Sequence, residues 1–99
     1  NNSWSTLHDG SGTAPSQRAN IVPKFYKGKI YILGGYGGDN FYDVWEFNIS
    51  NSSWIRLHTG AGTAPAVRYN YAMTIYKNKI YIHGGRGSVT QYGDVWAFN

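Results

Sequence analysis

Cysteine is absent from this sequence of 99 residues, and methionine and proline are scarce, with one and three copies respectively. Without cysteine the chain cannot be cross-linked by disulfide bonds, so a disulfide framework is excluded. Charged residues are also few, at 14%, against roughly 25% in an ordinary soluble domain. No apolar run approaches the roughly 18 residues that a membrane-spanning helix needs. These absences argue against a coiled coil, a disordered chain and a membrane partner.

The sequence has an excess of glycine and aromatic residues, with 13 glycines and an aromatic fraction of 17%. Ordinary domains contain about 7% glycine, so the excess predicts many tight turns. No stretch keeps an apolar period of 3.6 residues, which favours an all-β fold. The net charge is only +4, and acidic residues are interspersed among the basic ones, which argues against nucleic acid as a partner.

The second half of the chain repeats the first with a period of 50 residues, since Trp4 returns as Trp54. The other matching motifs are Leu7-His8 with Leu57-His58, Gly12-Thr13-Ala14-Pro15 with Gly62-Thr63-Ala64-Pro65, Arg18 and Asn20 with Arg68 and Asn70, Lys29-Ile30-Tyr31-Ile32 with Lys79-Ile80-Tyr81-Ile82, and Gly34-Gly35 with Gly84-Gly85. Beyond these motifs the offset becomes 51, which indicates a loop of variable length. Such a period is typical of repeat architectures whose units cannot bury their apolar faces alone.

Each unit contains four short strands, which the pattern predicts in the first copy at residues 20–26, 29–33, 43–48 and 54–58. The strand at 29–33 has apolar side chains on both faces, so we expect a sheet that is covered on both sides.

The first two strands of each unit are joined by the pairs Lys27-Gly28 and Lys77-Asn78. Glycine and asparagine tolerate the positive φ of a tight hairpin turn, so the sequence predicts a hairpin at both places. Pro23 cannot donate a hydrogen bond to a neighbouring strand, and we therefore expect its strand at the edge of a sheet.

This pattern resembles the kelch repeat, and in particular its longer variant of about 50 residues. The residues that carry the resemblance are Ile30-Tyr31-Ile32-Leu33-Gly34-Gly35, Asp43-Val44-Trp45-Glu46-Phe47, Trp54 and Pro65-Ala66-Val67-Arg68, with their counterparts one period away. The longer variant often has histidine at the position of Asn20 and Asn70, so the chain departs from it there.

The resemblance implies blades of a β-propeller, in which strands a to d run from the central channel outwards. Residues 1–50 would then form one kelch repeat, which begins with strand d of a neighbouring blade at residues 4–8. Residues 51–99 would form the second repeat, whose blade lacks its own strand d. We therefore expect two four-stranded antiparallel blades that close only by oligomerisation or with further blades.

Two blades cannot close a ring of the four to eight blades that propellers use. We expect copies of the chain to assemble head to tail, as a homotrimer with six blades or a homotetramer with eight. Residues 4–8 of one copy would complete the second blade of the next. The alternative is that the chain is a fragment of a longer kelch propeller.

The resemblance also suggests a binding site at one end of the propeller. Arginines at the positions of Arg18 and Arg68 reach the channel mouth in several peptide-binding kelch domains, and such guanidinium groups suit an acidic peptide or protein. The alternative is that each arginine donates hydrogen bonds to nearby loop carbonyls. The loops between strands b and c add aromatic, arginine and amide side chains. The predicted ligand-binding residues are Arg18, Asn20, Tyr36, Asn40, Phe41, Arg68, Asn70, Arg86, Gln91 and Tyr92.

The sequence predicts a non-catalytic module for protein-protein interaction or scaffolding. It offers no paired acids for general acid-base chemistry, so we expect no catalytic residues and no cofactor. Asp43 and Asp94 are interpreted as turn or strand-start residues. His8, His58 and His83 lack further ligands at metal-binding spacing, so we expect no metal site. The alternative function is that of the sugar-processing or glycan-binding kelch propellers.

Overall fold

The computed structural model describes residues 2–19, 21, 23–36, 40–66, 68, 70–87 and 90–99, without the side chains of residues 36 and 40–42. This part of the chain contains strands and no helix, and hence no helix that could cross a membrane. The strands are β1 (Lys24–Tyr26), β2 (Lys29–Tyr36), β3 (Asn40–Asn48), β4 (Ser53–His58), β5 (Ala72–Tyr76), β6 (Lys79–His83) and β7 (Val95–Phe98).

The strands form two antiparallel sheets, ordered β1-β2-β3-β4 and β5-β6-β7. The two sheets repeat the same register, because Ile30 pairs with Phe47 in the first and Ile80 with Phe98 in the second. The predicted all-β fold with repeated antiparallel blades is confirmed. Among the described residues, the second sheet has no counterpart of β4, so it contains three strands.

The predicted hairpin turns lie between β1 and β2 and between β5 and β6. Lys27 and Gly28 have φ angles of 50° and 75°, and Lys77 and Asn78 have 48° and 64°. Two successive positive φ values are typical of the type I′ turn, whose twist matches that of the flanking strands. Both hairpin predictions are confirmed.

Pro23 limits the first strand of the first sheet, β1. β1 begins directly after this proline, whereas β5 begins at Ala72 and pairs Met73, the counterpart of Pro23, with Ile82. Proline has no N–H to donate to a neighbouring strand, so regular pairing in the first sheet begins at the residue after Pro23, Lys24. Of the predicted strand at 20–26, residues 24–26 form β1, and residues 20 and 22 lie outside the described residues. β1 lies at a sheet edge as expected.

The main hydrophobic core lies between the two sheets. Its buried residues are Leu33 and Val44 of the first sheet, Ile80, Ile82 and Met73 of the second, and Tyr71, which precedes β5. The Tyr71 hydroxyl donates a hydrogen bond to the backbone carbonyl of Leu33 and so connects the two sheets. This core requires both units, as a repeat architecture implies.

Residues 2–18, which we call the N-terminal segment, contain no strand. The sequence predicted a strand at residues 4–8, and the structure differs there, since none of the strands β1 to β7 pairs with that segment. The segment nevertheless lies against the first sheet. Thr6, Leu7 and His8 border a common cleft with Ile30, Phe47 and Trp54.

Candidate interaction surfaces

The side chain of Arg68 lies inside the protein, and the residue is only 1% exposed. Its Nε donates to the carbonyl of Ala66 at 3.0 Å, and its Nη1 donates to the carbonyl of Gly84 at 3.2 Å. Both terminal nitrogens also donate to the carboxylate of Asp94, with Nη2 at 3.0 Å. The guanidinium carbon lies 3.9 Å from the ring centroid of Tyr92. Arg68 therefore connects the segment before β5 to the chain on both sides of the β6–β7 loop.

Arg18 repeats this arrangement in the first unit. Its Nη1 donates to Asp43 Oδ1 at 2.6 Å and to the carbonyl of Gly34 at 3.1 Å. Its Nη2 lies 3.3 Å from Asp43 Oδ2, and its Nε donates to the carbonyl of Ser16 at 3.0 Å. The salt bridge is shielded, since the two side chains are only 4% and 11% exposed. A bidentate guanidinium-carboxylate pair in such surroundings has a fixed geometry.

A tryptophan completes each arginine-aspartate pair. The indole Nε1 of Trp45 donates to Asp43 at 2.7 Å, and that of Trp96 donates to Asp94 at 2.8 Å. Hydrogen bonds from Arg68 and then from Trp96 hold the pKa of Asp94 well below its ordinary value. Burial raises the pKa of Asp43, but the hydrogen bonds from Arg18 and Trp45 outweigh it, and the net pKa is lowered. Both carboxylates are therefore ionised partners of their arginines at neutral pH.

These contacts assign a structural role to the two predicted arginines. The bonds to carbonyl oxygens confirm the structural alternative, and recognition of an acidic ligand stays a prediction. Asp94 directly precedes β7, as expected of a strand-start residue, whereas Asp43 lies within β3. Sequence reasoning missed that both aspartates are salt-bridge partners of the arginines. The sequence contained one indication of these pairs, because Arg18 and Asp43 both recur in the second unit, as Arg68 and Asp94.

Arg86 and Gln91 lie in the loop that joins β6 to β7. They face each other in an isolated antiparallel bridge, and both are exposed. Tyr92 is half-buried beneath the Arg68 guanidinium, so much of one ring face is already in contact. Asn70 is exposed and has a φ of 57°, which its short polar side chain tolerates. The structure thus groups Arg86, Gln91 and Tyr92 at one end of the second sheet.

The structure does not describe the side chains of the other four predicted binding residues, Asn20, Tyr36, Asn40 and Phe41. Asn20 lies outside the described residues. Tyr36 ends β2 and pairs with Asn40 at the start of β3, next to Phe41. Their backbone positions put them in the hairpin that corresponds to the Arg86-Gln91 loop, and their role in binding stays a prediction.

The second candidate surface is the outer edge of β7, which we call the open edge. β7 pairs with β6 on one side and, among the described strands, is the last of its sheet. Its counterpart β3 pairs on the corresponding side with β4, from Val44 opposite His58 to Asn48 opposite Ser53. An unpaired edge presents a row of backbone donors and acceptors that can accept another strand.

The N-terminal segment supplies a second copy of the β4 sequence. His8 contacts Phe47 edge-on, with ring centroids 6.4 Å apart, and His58 contacts Phe98 in the same way at 6.0 Å. Each histidine therefore packs against the sheet that follows it in the chain. The N-terminal segment thus lies beside the first sheet at its histidine much as the end of β4 lies beside the second.

Trp4 and Trp54 occupy equivalent positions but differ in environment. Trp54 packs against Phe47 and Trp45, with ring centroids 4.9 Å and 6.3 Å apart. Trp4 is fully exposed, at 101%. A tryptophan that is partly buried in one copy of a repeat and fully exposed in the other is typical of an interaction surface.

The histidines do not form a metal centre in the described residues. No group of three or more histidine, cysteine, aspartate or glutamate side chains there is arranged to hold a metal ion. Two candidate interaction surfaces remain, the loop end of the second sheet and the open edge.

Comparison with known proteins agrees with the repeat pattern. The family model described as the KLHDC2/KLHL20/DRC7 Kelch-repeats domain matches residues 1–99. A search among curated proteins found no match. A solved structure titled "Structure of YjhT" is similar, with a TM-score of 0.61 and 26% identity over 75% of this chain. The match covers 23% of that longer chain, so this sequence corresponds to about a quarter of it. The chain, with its two kelch-type sheets, belongs to the kelch-repeat family.

Proposed function

We propose that this chain is a non-catalytic interaction module whose partner is a second copy of itself, joined head to tail. Kelch repeats form propeller blades, and the described strands build one four-stranded sheet and one three-stranded sheet. In the proposed assembly, the N-terminal segment of one copy completes the three-stranded sheet of the next. Three copies would make six blades and four copies would make eight.

The observation that carries this proposal is that the described chain presents both an edge of β7 that pairs with no described strand and a segment equivalent to the strand that pairs with the corresponding edge of β3. The open edge of β7 corresponds to the edge of β3 that is already paired, and the N-terminal segment corresponds to β4. An interface that uses two different patches is heterologous, and it closes into a ring when the rotation between copies matches the ring symmetry.

The apolar surface also favours association. Trp4, Phe25 and Val95 are large apolar side chains with exposed fractions of 101%, 65% and 67%. The counterparts of the last two, Ile75 and Val44, pack in the core between the sheets. Covering such side chains with a neighbouring blade would remove apolar area from water.

Native mass tests the proposal. Light scattering after size-exclusion chromatography, at concentrations from about 1 to 100 μM, should give three or four times the chain mass of 11.1 kDa. Circular dichroism on the same fractions would verify that the strands are folded. A folded protein that stays at 11.1 kDa throughout this range would contradict self-assembly.

The acidic-peptide partner is a second candidate, which the exposed Arg86-Gln91 pair favours. Binding of a fluorescent acidic peptide should weaken in an Arg86→Ala variant, since the guanidinium supplies its charge. Arg56→Ala is the matched control, because Arg56 is an exposed arginine on β4, away from this loop. Equal affinities for both variants would remove Arg86 from the site. A glycan-binding screen of the same protein would test the sugar-related alternative.

A further inference from the structure

We propose that residues 3–8 of one copy form the fourth strand of the next copy's second sheet in one specific register, with Trp4 opposite Phe98. This inference rests on the proposed head-to-tail association and adds the pairing partners and the anchoring side chain. The occupant of the open edge is thus a defined segment of a second copy.

The register follows from the pairing of β3 with β4. There Phe47 pairs with Trp54, and Glu46 pairs with Ile55. Moving β3 forward by 51 residues gives β7, and moving β4 back by 50 residues gives the N-terminal segment. The resulting pairs are Trp4 with Phe98, Ser5 with Ala97, Thr6 with Trp96, and His8 with Val95.

The proposed register also reproduces an irregularity of the β3–β4 pairing. The β3–β4 pairing shifts between Val44 and Trp45, so that Leu57 has no direct partner. The corresponding shift falls between Val95 and Trp96, and it leaves Leu7 as the extra residue. A bulge of this kind fixes register, because pairing displaced by one residue would turn every side chain to the opposite face.

Trp4 is the anchor of the proposed strand. Its counterpart Trp54 lies against Phe47 and Trp45, and the aligned residues on the second sheet are Phe98 and Trp96. The second sheet therefore has the same two residue types, phenylalanine and tryptophan, at the positions that would contact Trp4. Docking Trp4 there would recreate an aromatic cluster that the chain already forms once.

Disulfide trapping between single-cysteine variants tests the register, and the absence of native cysteine leaves no competing thiol. Ser5→Cys and Ala97→Cys chains, mixed and oxidised, should give a disulfide-linked dimer on a non-reducing gel. Directly paired residues have Cα atoms about 4.5–5.5 Å apart, within the range that a disulfide spans. Ser3→Cys mixed with Ala97→Cys is the displaced control, since diagonal residues lie about 7–8 Å apart.

The outcomes separate the register from the association itself. An oligomer that cross-links through Ser5→Cys much faster than through Ser3→Cys supports the register. An oligomer that cross-links equally through both, or more through Ser3→Cys, overturns the register and leaves head-to-tail association standing. A folded monomer at every concentration overturns both.

A Trp4→Ala variant provides a second test. Trp4 is exposed in the single chain, so the fold should tolerate the substitution. It should raise the midpoint concentration of association by about tenfold or more, as expected for a central aromatic anchor. The control is Ile55→Ala, because Ile55 is a half-exposed apolar residue on β4, which already has its partner strand. Equal midpoints for the two variants would overturn the anchoring role of Trp4.

Discussion

The buried arginines illustrate how single residues hold this fold together. Arg68 is a charged residue that is almost completely buried, with only 1% of its surface exposed. Such burial is tolerated because the five N–H donors of a guanidinium can be matched by fixed acceptors. The acceptors come from both ends of the β6–β7 connection, so the charge orients chain segments that share no regular strand pairing at that point.

Replacing Arg68 by alanine should therefore lower the free energy of unfolding by about 2–4 kcal/mol, since it removes charge-assisted hydrogen bonds and the contact with Tyr92. Urea unfolding followed by tryptophan fluorescence would measure the loss. Arg56→Ala is the matched control and should stay within about 1 kcal/mol, because Arg56 is exposed and contacts the Trp45 ring at 5.7 Å. A loss for Arg68→Ala no larger than for Arg56→Ala would contradict the structural role.

Asp94 makes stability depend on pH in the acid range. Its pKa is lower in the folded chain than in the unfolded chain, because Arg68 and Trp96 donate hydrogen bonds to the ionised form. The folded state therefore binds the proton less readily. The resulting stabilisation is complete above the unfolded pKa of about 4, and it is lost as the pH falls towards the folded pKa.

An Asp94→Asn variant should accordingly lose less stability than the parent between pH 6 and pH 3. Urea midpoints measured at intervals across this range would compare the two proteins. Asp43→Asn should have the same direction of effect in the first unit, since the net pKa of Asp43 is also lowered. Identical pH profiles for the parent and Asp94→Asn would contradict the assigned hydrogen bonds.

At the scale of elements, the double glycine at the end of β2 lets the chain pass close to its own earlier segment. The β2–β3 register shifts between Leu33 and Gly35, and Gly35 has a φ of 112°. A Cβ atom there would lie 2.7 Å from Ile21 Cγ2 and 3.1 Å from the carbonyl oxygen of Ala19. Glycine is therefore required at this position for backbone conformation and for space.

Gly35→Ala should cost about 2–4 kcal/mol, because the new methyl group adds a steric clash to the cost of positive φ. Gly28→Ala is the matched control. It also has positive φ, at 75°, but a Cβ atom would meet nothing within 4 Å, so we expect a cost of about 1 kcal/mol. Thermal or urea unfolding of both variants would compare the costs, and equal losses would mean that the close approach is absent in solution.

At the scale of the whole molecule, the two sheets depend on each other. The main core uses residues from both sheets, so neither unit should fold independently. In the proposed assembly, the exposed Trp4 and the open edge would extend the same dependence to a neighbouring copy. For an assembled protein, folding and association are then linked equilibria.

The melting temperature should consequently rise with protein concentration, by on the order of 10 °C for a hundredfold increase. Differential scanning calorimetry or fluorescence at several concentrations would measure it. A chain that lacks residues 1–8 should show little dependence on concentration, because the proposed fourth strand is missing. A concentration-independent melting temperature in the full chain would argue against assembly.

Much of this fold could be predicted because its determinants are local and occur twice. Apolar alternation indicated the strands, and Lys27-Gly28 indicated a hairpin through backbone preferences that act over a few residues. The extent of β1 was overestimated, since Pro23 was assigned to the strand rather than to its boundary. The arginine-aspartate pairs could not be predicted from spacing alone, because their partners lie 25 and 26 residues apart along the chain.

The sequence by itself determined the period of the repeat, the order of the strands, the hairpin turns and the likeness to kelch repeats. The strands and the hairpin turns depend on residue types within one unit, and the period depends on the recurrence of these residues in the second unit. The tertiary structure alone decided that Arg68 is buried against Asp94 and that residues 4–8 remain without a partner strand in the described chain. The physical reason is that burial and pairing depend on which faces and edges meet in space, and these meet only when separate units pack together.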